Sequence, residues 1–260
     1  MKPERYQTMN YSLDKNKIIA HRGDNTNHPE NTYAAIESAL LAGALFVEFD
    51  IQMNADKSIV VFHDEDFKRM SGDDRSLFDT TDESLRTLSI HEPNQFANEH
   101  YPTYISYLDD ILVLLKSFPK ATFLVEVKVK SLEHWGLETV MEKLFTKLKP
   151  YSENIIVISF SVAALEYVRQ HSKIRIGLVF NQYIAKHKEI ANKLKPEYML
   201  CPYKSFPESG YWQGTWEWMV YSINDIENAK KWLAKEGISY IETDDIRLLL
   251  NKSVNKEATK

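Results

Sequence analysis

Two histidines each follow a short apolar run. Lys17-Ile18-Ile19-Ala20 leads into His21-Arg22-Gly23, and Ser58-Ile59-Val60-Val61-Phe62 leads into His63. An imidazole at the end of a buried strand can give or take a proton near neutral pH. Two further runs carry acids: "LFVEFDIQM" (45–53) and "ATFLVEVKV" (121–129). Alternate side chains of a strand share a face. Phe46, Glu48, Asp50 and Gln52 therefore fall on one face, against Val47, Phe49 and Ile51. Likewise Thr122, Leu124, Glu126 and Lys128 oppose Phe123, Val125 and Val127, while Ile19 and His21 share a side. The wholly apolar faces should pack on helices, so the charged faces should converge from the strand ends.

Carboxylate oxygens are hard ligands. Glu48, Asp50 and Glu126 together suit one divalent cation, Mg²⁺ or Ca²⁺, rather than a soft metal. There is no cysteine pair and no His-X-X-X-His to favour zinc. A divalent cation with Arg22 and Lys128 would exceed the charge of the three acids by one, and a phosphodiester carries the balancing negative charge. Two histidines could then act as acid and base, with the cation and basic side chains stabilising the non-bridging oxygens. Taken singly, a histidine at a strand end, a Glu-X-Asp edge or a Glu-X-Lys pair is ordinarily structural. Their recurrence at several strand ends on one parity argues for a site.

Stepping through the chain, β-type runs recur at 17–20, 45–53, 58–63, 121–129, 154–160, 174–180, 197–201, 218–223 and 239–243. Amphipathic helical patterns occupy 31–42, 106–117, 133–148, 161–171, 184–194 and 226–236. This alternation predicts an α/β fold with parallel strands, and its length fits a closed (β/α)₈ TIM barrel. The competing open doubly wound sheet lacks its Gly-X-Gly-X-X-Gly after the first strand. Residues 54–57, "NADK", can only turn a hairpin. One strand is therefore an extra hairpin strand, in a register that would place Met53 opposite Ser58, Glu48 opposite His63 and Asp50 opposite Val61. The polar, turn-rich stretch 64–100 reads as an inserted loop and helical segment over the C-terminal face. The domain reading is an N-terminal extension at 1–16, a single barrel domain at 17–250 and a tail at 251–260.

The bulk numbers agree. The chain has 260 residues, 43% of them hydrophobic, and a formal charge of −5 with no basic stripe, which argues against nucleic acid. A single cysteine, Cys201, suits a reducing compartment. No run approaches the ~20 apolar residues of a membrane helix, and the N-terminus shows no apolar signal region. A cytoplasmic location is expected; oligomeric state is left open.

The chain resembles the glycerophosphodiester phosphodiesterases, a branch of the phospholipase-C-like barrels. The match runs in order through "AHRG", "PENT" (29–32), "VEFDIQMNADKSIVVFHDE", "RMSG" (69–72), "VEVK", "ISF" (158–160), "GLVF" (177–180), "VYSIN" (220–224) and "GISYIETD" (237–244). The resemblance implies that His21 and His63 are the acid–base pair, that Glu48, Asp50 and Glu126 hold the metal, and that Arg22 and Lys128 contact phosphate. It also implies that Phe160 and Tyr221 border the substrate, a small glycerophosphodiester cleaved to sn-glycerol 3-phosphate and an alcohol. Glu30 and Asn31 would support the loop, with Asn31 or Thr32 capping a helix whose buried side is Tyr33, Ile36 and Leu40. Gly23 would let the backbone turn beside the phosphate.

The departures lie around the chemistry. "DNTNH" (24–28) is wholly polar, which leaves His28 as a loop histidine. Tyr221-Ser222-Ile223-Asn224 stands where the family has Trp-Thr-Val-Asn. Two rivals follow. One is a lysophospholipase D or sphingomyelinase-D-like enzyme, for which "YWQGTWEW" (211–218) could form an apolar lip instead of core. The other is a non-catalytic phosphodiester-binding barrel.

Overall fold

The computed structural model describes residues 13–251. Most of the expected extension at 1–16 and of the tail at 251–260 therefore lies outside the described residues. The strands are β1 (Ile18–Ala20), β2 (Phe46–Met53), β3 (Ile59–Val61), β4 (Ser106–Tyr107), β5 (Thr122–Val127), β6 (Ile155–Ser159), β7 (Arg175–Val179), β8 (Tyr198–Pro202), β9 (Glu217–Tyr221) and β10 (Ile238–Thr243). The parallel order β1-β2-β5-β6-β7-β8-β9-β10 returns to β1, which closes a barrel of eight strands. This is the expected (β/α)₈ architecture.

Parity sorts the core into two layers. Val47, Phe49, Ile51, Phe123, Val125, Val127 and Val157 face the helices in the outer core. Ile19, Leu124, Ile156, Ile158, Tyr198, Leu200 and Met219 fill the barrel interior, with Phe46, Tyr221 and Tyr240 against them. Phe46 and Tyr240 meet edge-on at 5.0 Å. A fully buried side chain of this size contributes roughly 1.5–3 kcal/mol, so the apolar plug offsets the cost of the acids stacked above it.

β1 ends at Ala20 opposite Val47. That frees the upper edge of β2, and β3 pairs there antiparallel, with β4 beyond it. The hairpin forms as expected but in a different register: Met53 faces Ile59 and Ile51 faces Val61. The turn is one residue longer than a "NADK" loop. Asn54 closes it by accepting the Ser58 amide on Oδ1 at 2.9 Å and donating its own amide to the Ser58 carbonyl at 3.1 Å. Asp50 therefore pairs with Phe62, whose N–H reaches the Asp50 carbonyl at 3.0 Å.

Two other expectations shift. Residues 106–107 are strand, and the helix there is Leu108–Ser117. The 133–148 pattern is two helices, Val129–Trp135 and Leu137–Leu148, broken at Gly136, where φ is +84°. No helix links β8 to β9 among the described residues. The segment between them packs aromatic rings instead: Trp212 stacks on Tyr183 at 3.8 Å, and Trp216 and Trp218 are buried in the outer core. The "YWQGTWEW" lip is thus mostly core. No helix of the described chain is long and apolar enough to cross a membrane.

Candidate active site

The chain leaves β1 at His21 in a tight loop. Arg22 and Gly23 have φ of +56° and +85°. A Cβ on Gly23 would lie 2.5 Å from the Ala35 carbonyl carbon. Glycine therefore permits the expected left-handed turn and also lets the Tyr33–Leu41 helix close onto the loop. That turn aims the Arg22 amide at Glu48 Oε2, 3.1 Å away. The Arg22 guanidinium donates to Glu30 Oε1 at 2.9 Å and lies 3.1 Å from Asp50 Oδ2. Thr32, not Asn31, caps the helix by accepting the Ala35 amide. Asn31 instead grips Asp50 twice, donating to Oδ2 at 2.8 Å and accepting the Asp50 N–H at 3.0 Å. Tyr33 is 39% exposed, leaving Ile36 and Leu40 as that helix's buried side.

β2 and β5 place Asp50 beside Glu126 in register. One oxygen each from Glu48, Asp50 and Glu126 lies within 4.8 Å of the others. Lys128 donates to Glu126 Oε1 at 2.8 Å and Asp50 Oδ1 at 3.2 Å. Glu48 Oε1 is buried without a hydrogen-bond partner. An orphaned carboxylate oxygen inside a cluster of hard donors is what a bound Mg²⁺ or Ca²⁺ would complete, so these residues fit the expected cation.

The electrostatics follow. Burial and the Asp50 charge push the Glu48 carboxyl well above the usual range and raise Glu126 as well. Burial opposes ionisation of Asp50 too, but Arg22, Lys128 and His63 outweigh it and hold this carboxyl well below the usual range. Burial alone would lower His21, yet Glu242, the hydrogen bond to Asp244 and Glu48 together push it up to about 10.

Both imidazoles are held from behind. His21 Nδ1 lies 2.6 Å from Asp244 Oδ1, and Asn224 and Asn25 donate to Asp244 at 2.6 and 3.1 Å. His63 Nδ1 lies 2.6 Å from Asp64 Oδ1, and Arg69 donates to Asp64 Oδ2 at 2.8 Å. A carboxylate on Nδ1 fixes the tautomer and leaves Nε2 for chemistry. His21 Nε2 stands 4.0 Å from Glu48 Oε2. The His63 charge acts on Asp50 and Glu126. Both rings therefore lie near the acid cluster.

Residues 21–210 match the sequence profile of the glycerophosphoryl diester phosphodiesterase family. The chain belongs to that family. Its members are phosphoric diester hydrolases, and this chain is one of them. It is 31% identical over 248 residues to the glycerophosphodiester phosphodiesterase of Caldanaerobacter subterraneus subsp. tengcongensis, covering 91% of this chain and 97% of that one. Its fold is similar to that of an Oleispira antarctica phosphodiesterase in complex with the product sn-glycerol-3-phosphate. That match has a TM-score of 0.78 at 20% identity and covers 90% of this chain and 95% of the other. The Thermotoga maritima glycerophosphodiester phosphodiesterase gives 0.69 at 22% identity, covering 90% and 96%.

In the candidate site, the expected acids, Arg22, Lys128, Glu30 and Asn31 gather into one network, and both histidines lie near it. Phe160 follows β6 and is 37% exposed at the barrel mouth. Tyr221 ends β9, but its hydroxyl turns aside to the Phe180 carbonyl at 3.1 Å and Asn181 Oδ1 at 3.0 Å. It offers a ring, not a free hydroxyl. His28 sits 5.3 Å from the His100 ring, in a loop pair.

The sequence motifs contain Asp64, Asp244, Arg69 and Glu242 but give none of them a role. The alternation that grouped Ile19 with His21 also groups Tyr240, Glu242 and Asp244. Applied to "SYIETD", it would have found both acids. Arg69 carried no such signal, since its segment has no period.

Proposed function

We propose that this enzyme hydrolyses small glycerophosphodiesters to sn-glycerol 3-phosphate and an alcohol, with one divalent cation, Mg²⁺ or Ca²⁺, in the acid cluster. One observation carries the reading: two carboxylate-backed imidazoles border a three-acid cluster lined by Arg22 and Lys128. Glu48, Asp50 and Glu126 would hold the cation, which supplies Lewis-acid stabilisation of phosphoryl oxygens when bound. Arg22 and Lys128 reach the same region and bind the remaining non-bridging oxygen charge.

His21 and His63 divide the proton work. One removes a proton from the attacking hydroxyl, and the other protonates the departing alkoxide. Each ring keeps Nδ1 on its aspartate and works through Nε2. The attacking hydroxyl is either water or the glycerol 2-hydroxyl; a 2-deoxy substrate turned over normally excludes the second route.

A small head group is favoured over an acyl chain, because the tryptophans that could have formed an apolar lip are mostly packed in the outer core. The test is a panel of glycerophosphocholine, glycerophosphoethanolamine and lysophosphatidylcholine, assayed with Mg²⁺ and Ca²⁺ in turn. The glycerophosphodiesters should release sn-glycerol 3-phosphate at higher kcat/KM than the lyso lipid releases its product. Binding without turnover would instead support a phosphodiester-binding barrel.

A further inference from the structure

Glu242 is a fourth acid at the barrel mouth, and the catalytic reading gives it nothing to do. It lies on β10 opposite Ile19 of β1, and it shares parity with the interior residue Tyr240. It is 5% exposed, and its Oε1 is buried with no hydrogen-bond partner. Its charge acts on His21, Glu48 and Tyr221, and it feels Arg22, Glu126 and Asp244 in turn. The carboxyl is therefore aimed into the mouth among residues of β1, β2, β5 and β9.

None of the donors around it reaches Oε1. His21 Nδ1 is on Asp244, the Arg22 guanidinium is on Glu30 and Asp50, and Lys128 is on Glu126 and Asp50. The Tyr221 hydroxyl turns to Phe180 and Asn181, and that of Thr243 to Asn224. A buried carboxyl oxygen without a donor is costly, and a ligand in the mouth can supply one. Glu242 is not among the acids that converge within 4.8 Å, and its strand β10 is separated from β2 by β1 in the sheet. A neutral hydroxyl fits this position better than the cation.

We propose that Glu242 accepts a hydrogen bond from a hydroxyl of the substrate's glycerol moiety and so selects a polyol phosphodiester over an alkyl one. This rests on the phosphodiesterase reading above, and it assigns the selectivity to one side chain.

The test compares the wild type, Glu242→Gln and Glu242→Leu, all loaded with Mg²⁺. Calorimetry measures binding of sn-glycerol 3-phosphate against n-propyl phosphate, and kinetics compare glycerophosphocholine with propylphosphocholine. The wild type should prefer the hydroxylated member of each pair by at least about tenfold, the scale of a hydrogen bond to a charged group. Glu242→Leu should erase that preference. The near-isosteric Glu242→Gln, whose amide oxygen still accepts, should keep part of it and serves as the variant least able to disturb folding.

A wild type without the preference, or a preference that survives in Glu242→Leu, overturns the proposal. So does a tenfold loss of Mg²⁺ affinity in Glu242→Gln with the preference intact, since that marks a metal ligand. If the wild type fails to cleave glycerophosphocholine yet shows the Glu242-dependent binding preference, the activity reading fails and the hydroxyl acceptor stands.

Discussion

Asp64 and Asp244 do the same job from the loops that follow β3 and β10. Each ties up Nδ1 of one imidazole and leaves Nε2 for chemistry. Replacing either ring should remove a general acid or base, and such groups contribute about 10²–10⁴-fold. His21→Ala and His63→Ala should therefore each lower kcat by at least ~10² while sn-glycerol 3-phosphate still binds; near-normal turnover in either variant removes that ring from the chemistry. Asp64 also leaves a mark on stability. Burial opposes its ionisation, but its hydrogen bonds to His63 and Arg69 hold the carboxyl down at about 2, against 3.8 for a free aspartate. A depressed carboxyl stabilises the fold above its unfolded pKa, and that contribution is lost as pH falls toward the folded value. Asp64→Asn should accordingly melt lower than the wild type at pH 6, and the gap should close as pH falls from 4 toward 2. A constant gap across that range would show that only packing is lost.

At the scale of elements, alternation along strands was the most legible feature of the chain. It set Glu48 with Asp50 and Glu126 with Lys128 because a strand buried on both sides must turn one face into the barrel. It failed where local hydrogen bonding overrides pattern. Asn54 lengthened the turn and slid β3 by one residue, and Gly136 split a helix that amphipathicity drew as continuous. The insertion was legible as an insertion but not as a brace. Its Arg69 donates to Asp64 at 2.8 Å and to Glu30 at 2.6 Å, and sits 3.5 Å from Glu92. One guanidinium thus links the aspartate behind His63 to the glutamate behind Arg22. A forked cation is needed for that geometry. Arg69→Met should lower kcat/KM by about 10–10², as misplacing reacting groups by an ångström does, and should speed hydrogen exchange across 64–100. Arg69→Lys should recover part of the exchange protection and less of the activity. Unchanged kinetics with faster exchange would make Arg69 a brace for the insertion alone.

For the whole molecule, a cation held by the acid cluster would couple binding to stability. Burial and repulsion between the acids make Glu48 and Glu126 resist ionisation although Lys128 and Arg22 stand close. A cation that binds the folded chain and not the unfolded one adds about 2.7 kcal/mol at a hundred times its Kd. For a chain of this size that corresponds to a rise in Tm of roughly 5–10 °C. Mg²⁺ or Ca²⁺ should therefore raise the Tm of chelator-treated protein and restore its lost activity together. Glu48→Gln separates the two halves of the argument. Without metal it should melt no lower than the wild type, because a repelling charge has gone and the shape is kept. It should also lose most of the metal-induced rise, because the orphaned oxygen that completes the site has become an amide. A Glu48→Gln protein that melts well below metal-free wild type would mean the acid is already satisfied within the fold. A wild type that ignores millimolar Mg²⁺ and Ca²⁺ would mean that the cluster holds neither ion.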